Sequence, residues 1–173
     1  DDAYEGRSDG LAAALALARA QGAAVIPSII RDPDGEALRQ MPPPGTTSMG
    51  WHEWREAFAS VHLLQARATA QPFRPFRLID DVLWDLQGLA AAGGRAPVCA
   101  ALAYRYQLRP GQLTESLADR FDAEYAEALI ELRTKPSSFG AAAPEVARVL
   151  RRWRAMNRQV EAARRLGPIK LGD

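Results

Sequence analysis

Side chains able to make or break covalent bonds are few in this chain of 173 residues. Its two histidines, His52 and His62, stand ten positions apart. On a helix that separates them by about 80° around the axis and about 15 Å along it, too far to share one metal ion. His52-Glu53, followed by Glu56, has half the pattern of a zinc-protease helix but lacks the second histidine four residues on. Both histidines therefore read as amphipathic surface residues. The single cysteine, Cys99, follows Pro97-Val98 and precedes Ala100-Ala101, which suits a buried apolar thiol better than a nucleophile. Ser48 lacks the glycine two positions earlier that a nucleophile elbow uses, and reads as the cap of a helix opening at Trp51. Asp81 and Asp85 share a helical face. Asp80 and Asp81 fall where a helix start favours acids on dipole grounds. Gly93-Gly94 has the spacing of no phosphate-cradling loop. The expectation is a non-enzymatic protein with no cofactor and no metal.

Guanidinium groups are the more informative chemistry. Lys135 and Lys170 are the only lysines among 22 basic residues. Arginine's planar fork suits phosphate and carboxylate, although GC-rich coding alone also enriches arginine and alanine together. Placement carries more weight than number. Residues 144–173 hold eight basic residues against three acidic ones, while the rest of the chain is acidic on balance, so a net charge of +1 hides a strong asymmetry. Within this segment Val146, Val149, Trp153, Met156, Val160 and Ala163 recur at alternating steps of three and four, a seam that needs a facing helix. Arg151, Arg154, Arg158 and Arg165 fall within about 60° of one another on the side away from Trp153, and extend over about 21 Å. Such a ridge matches the backbone of a nucleic acid. Arg148 adds to it, and Arg105 and Arg109, interleaved with Tyr104 and Tyr106, offer a second basic and aromatic segment. A competing use lies nearby: Glu115, Asp119, Asp122, Glu124, Glu127 and Glu131 precede the ridge on an acidic helix and could pair with some of its arginines. If Trp153 faces that helix, the ridge points away from it.

The elements that position these residues read as helical. Leu11–Gln21, stopped by Gly22, is a small-residue helix. Val25–Ile30 is β-prone but interrupted by Pro27, which confines it to an edge strand or extended arm. Asp32-Pro33-Asp34-Gly35 is a turn, and Met41–Gly45 with Thr46 to Ser48 is a linker. Apolar stripes then place helices from Trp51 to before Pro72, from about Phe76 to Gly93, from Pro97 to about Leu108, from Thr114 to about Arg133, and from Pro144 to Leu166. The expected fold is all-α: an antiparallel bundle of about five helices (51–173) behind a linker (42–50) and an N-terminal helix and extended arm (1–41).

The longest aliphatic run, Leu11 to Ala18, is too short to cross a bilayer, and Asp1, Asp2 and Glu5 do not fit a signal peptide, so a cytoplasmic protein is expected. The functional expectation is an assembly subunit of a larger nucleoprotein complex, holding other protein subunits and RNA or single-stranded DNA. Small helical subunits of RNA-guided effector complexes share this character, by analogy of shape and charge alone. The alternative is a protein-only structural or chaperone subunit, as in phage or virion assembly.

Overall fold

The computed structural model describes residues 3–57, 61–67, 70, 76–107, 117–136 and 139–165. In chain order the elements are β1 (Ala3–Gly6), α1 (Gly10–Gln21), β2 (Ala23–Ile26), β3 (Ser28–Arg31), β4 (Ala37–Met41), β5 (Ser48–Gly50) and α2 (Trp51–Ala57). They continue with β6 (His62–Gln65), α3 (Asp80–Ala91), β7 (Arg95–Pro97), β8 (Leu102–Gln107), α4 (Ala118–Thr134) and α5 (Ala143–Arg165), the last preceded by a 3-10 turn at Gly140–Ala142. The fold is mixed α/β. The all-α bundle is overturned by three sheets: a four-stranded one ordered β1-β8-β3-β4 and the ribbons β2-β6 and β5-β7.

The N-terminal segment is core, not arm. β3 lies inside the large sheet, parallel to β8 on one side and antiparallel to β4 on the other. The β3–β4 hairpin turns where Asp32-Pro33-Asp34-Gly35 predicts, with the Gly35 N–H donating to the Asp32 carbonyl and Gly35 at φ 92°. The edge expectation fails for the part of the run after Pro27, since β3 lies inside the four-stranded sheet, whereas β2 before it belongs to the two-stranded ribbon with β6. Pro27 sits between two strands of different sheets, and its carbonyl accepts the Tyr104 N–H at 2.7 Å.

The β2–β6 ribbon partitions the interior. Val25 and Leu63 face a large core that includes Trp54, Leu86, Val149 and Trp153. Ile26 and Leu64, pointing the other way, meet a small cluster of Ala14, Cys99 and Leu102 under α1. Every residue of β2 is buried for this reason. A strand covered on both faces reads as a continuous apolar run, without the alternation that identifies a strand. The predicted stripe of Trp51, Trp54, Phe58, Val61 and Leu64 is thus not one helix; Phe58 lies outside the described residues. α2 takes the stripe's first two members, and β6 holds the Leu64 pairing with Ala24.

The expected helix from Pro97 to Leu108 is replaced by β7 and β8. Pro97 ends an edge strand paired to β5, where a missing N–H costs no ladder bond. α3 packs on β6 through Gly88, where a Cβ would lie 2.5 Å from Leu63 Cδ2. α4 and α5 form a helical hairpin, and α5 also lies against α2.

Candidate nucleic-acid interface

α5 begins at Ala143 and buries Val146, Val149 and Trp153 of the predicted seam, with Leu150 beside them; farther along, Met156 is half-buried and Val160 and Ala163 are exposed, so only the first half of the seam is covered. The seam's partner differs from expectation. Trp153 packs against α2: its indole stacks on Trp54 with ring centroids 6.4 Å apart, and its Nε1–H donates to the Trp54 carbonyl at 3.0 Å. With Trp153 turned to α2, α4 lies along the flank of α5 that carries the arginines.

Asp122 of α4 receives both central members of the ridge. Arg154 donates through Nε and Nη2 to its two oxygens, each at 2.8 Å, and Arg158 makes the same forked approach, with Nη2 at 3.0 Å. These guanidiniums, Arg154's first, hold the Asp122 carboxyl well below the usual carboxylate range. Part of the ridge is therefore spent on the hairpin, because Trp153 does not face α4. Two cations on one carboxylate still leave a positive surplus. Arg158 is 60% exposed even while paired.

The remaining arginines divide as follows. Arg151 is exposed and has no ion-pair partner among the described residues. It lines a groove of about 730 Å³ between α4 and α5, together with Arg133, Ile130 and Arg154. Arg148 pairs with Glu145 one turn earlier on α5. Arg165 is exposed at the end of the helix. Arg152, outside the predicted ridge, reaches Glu56 of α2 at 2.9 Å. Arg105 does not join this face. It is half-buried on β8, in register with Ala3 and Ile29 of the flanking strands, and not on a helix. Tyr104 and Tyr106 consequently share one face of β8, with Arg105 on the other. Tyr104 packs edge-on to Tyr4 at 5.5 Å and to His62 at 4.3 Å. Arg109 lies outside the described residues.

The side chains considered for catalysis are dispersed. His52 is exposed on α2, while His62 is on β6 against Tyr104. Cys99 is buried in the small cluster. Ser48 caps no helix: it lies on β5 and accepts from Arg95 Nη1 at 2.8 Å. The cap of α2 comes from within, as Glu53 reaches back to the Gly50 N–H at 2.8 Å. Asp85 is buried beneath β6, where its Oδ1 accepts the Leu63 N–H at 3.1 Å. Burial pushes its carboxyl well above the usual range, against the pull of that N–H and with a further push from Asp81. No group of three or more histidine, cysteine, aspartate or glutamate residues able to hold a metal occurs among the described residues.

The pairing of Asp122 and Glu56 with arginines of α5 was not legible in the sequence. Asp122 has a detectable signal as part of the acidic helix; its selection over Glu127 or Glu131 depends on helix rotation, which sequence spacing does not fix. No protein-family model, curated protein or solved structure matches this chain. None of the described helices is long and apolar enough to cross a membrane.

Proposed function

We propose that this chain is a non-enzymatic assembly subunit whose α5 lies along the phosphate backbone of RNA or single-stranded DNA within a larger nucleoprotein complex. One observation carries the reading: after pairing with Asp122, the flank of α5 still presents Arg151 and a surplus guanidinium at Arg154 and Arg158. A backbone contact needs guanidiniums spaced along one face and no base-reading pocket, which is what such a flank supplies. A cytoplasmic setting accompanies this reading.

The test is fluorescence anisotropy of labelled single-stranded and duplex RNA and DNA at about 50 and about 200 mM salt. The expected result is affinity that falls about tenfold or more between them. A combined change of Arg151, Arg158 and Arg165 to Ala should weaken binding and flatten the salt dependence, while sparing the buried seam. Binding that survives the triple change refutes the role of this face.

The pairs Arg154–Asp122 and Arg152–Glu56 favour a second reading, in which α5 serves protein packing alone. The chain would then be a structural or chaperone subunit, as in phage or virion assembly. Absence of binding at the lower salt would select it.

A further inference from the structure

The groove between α4 and α5 has an apolar floor and a one-signed rim. Leu129 and Ala147 line it half-buried, and Ile130 lines it while 54% exposed. Its charged lining is Arg133, Arg151 and Arg154, with no carboxylate among the described residues. Arg154 is paired with Asp122. Arg133 and Arg151 are exposed, and neither takes part in an ion pair among the described residues. Nearby acids of the hairpin point elsewhere. At about 100° per residue, Glu127 and Glu131 stand about 140° and about 180° from the mean direction of the lining residues of α4, and Glu145 stands about 150° from that of α5. The two unpaired guanidiniums are also spaced along the groove. Asp122 binds Arg154 and Arg158 alike, which sets it level with about residue 156. Following the hairpin back, Arg133 is level with about residue 145, about 9 Å along the axis from Arg151.

We infer that this groove is the seat of an acidic amphipathic helix contributed by another protein subunit. A helix laid between α4 and α5 sets its apolar stripe on Leu129, Ile130 and Ala147. Carboxylates about six residues apart on that helix then meet Arg133 and Arg151. The rim selects the partner's acidity. The floor selects protein over nucleic acid, because aliphatic side chains offer a base neither a ring to stack on nor a hydrogen-bond partner. The inference goes beyond the phosphate-backbone reading and does not depend on it: Arg158 and Arg165 lie outside the groove and stay available to a nucleic acid strand.

The test uses the intact chain and three labelled model peptides of about 18 residues, about five helical turns each. One has a leucine and alanine stripe flanked by glutamates. The second carries lysines in place of the glutamates, and the third carries serines in place of the leucines. Fluorescence anisotropy at about 50 mM salt should show the first bound about tenfold or more tightly than either control. Arg133→Glu and Arg151→Glu should each weaken it about tenfold, and the two together should invert the preference toward the lysine peptide. Ile130→Ser, at an exposed position, should weaken the acidic peptide with the thermal transition near that of the parent chain. Labelled oligothymidylate, titrated separately, should be indifferent to Ile130→Ser. An acidic peptide bound no more tightly than its controls overturns the inference, as does binding indifferent to Ile130→Ser or to the charge reversals. Oligothymidylate that loses affinity on Ile130→Ser overturns it too, by giving the groove to nucleic acid. The phosphate-backbone reading stands or falls on the oligothymidylate titration of the parent chain, whatever the peptides do.

Discussion

Replacing Asp122 by Asn tests the central ion-pair cluster and its functional role together. The change keeps the side chain's shape and removes one negative charge from between Arg154 and Arg158. Two forked hydrogen bonds to a carboxylate would be strong if dry, but Arg158 is 60% exposed and Asp122 is 28% exposed, so solvent screens much of that strength. A loss of about 1–2 kcal/mol follows at neutral pH, or about 2–4 °C in melting temperature for each kcal/mol. The sign with pH is fixed by direction: the folded-state pKa is depressed, so the pairs stabilise above the unfolded carboxyl value near 4 and lose that contribution as pH falls below it. Parent and variant should therefore differ at pH 7 and converge in acid. The functional consequence has the opposite sign. The variant's α5 flank gains one unit of net positive charge, which should steepen the salt dependence of nucleic-acid binding by about 0.7–0.9 in logarithmic slope. Urea unfolding at several pH values and anisotropy titrations at two salts are the assays. Equal stability at pH 7 would refute the energetic account. A destabilised variant with unchanged salt dependence would refute the phosphate-backbone role of this flank.

Asp85→Asn should stabilise the chain at neutral pH. The buried carboxyl has a raised folded-state pKa, so the parent loses stability as pH rises above about 4, whereas Asn keeps the acceptor for the Leu63 N–H without a charge. Urea midpoints that coincide near pH 3.5 and separate by pH 7 are expected; a less stable variant at pH 7 would contradict it. The two stacked tryptophans should differ on replacement by phenylalanine. Trp153 loses a bond to the buried Trp54 carbonyl, at a cost of about 1–3 kcal/mol beyond lost packing, whereas the Trp54 Nε1–H is buried with no acceptor among the described residues. Denaturant titration should thus show Trp153→Phe to be the more damaging, despite Trp54 being the more buried; the reverse order would refute the assignment.

Elements with a helical period and a clear stop were legible in the sequence. Gly22 ends α1 in the left-handed region at φ 84°, and α5 follows the spacing of Val146, Val149 and Trp153. The strand buried on both faces was not, because β2 shows an apolar run where alternation would be diagnostic, and β6, His62–Gln65, is too short to show a period of its own. β8 misled for a related reason: Leu102–Gln107 has no length or cap to separate strand from helix, and its strand character comes from β1 and β3 on either side. For the candidate interface, the arginines and the acidic helix were both readable. Their pairing was not, since it depends on Trp153 choosing α2 over α4.

The pairing of β1 with β8 joins residues 3–6 to residues 102–105. During synthesis, β1 therefore leaves the ribosome long before β8, its one neighbouring strand among the described residues, exists. At about 5–20 residues per second the delay is about 5–20 s, during which the β3–β4 hairpin also lacks β8 on its inner edge. The nascent chain must spend that interval with the edges of β1 and β3 both open to strand pairing with other chains.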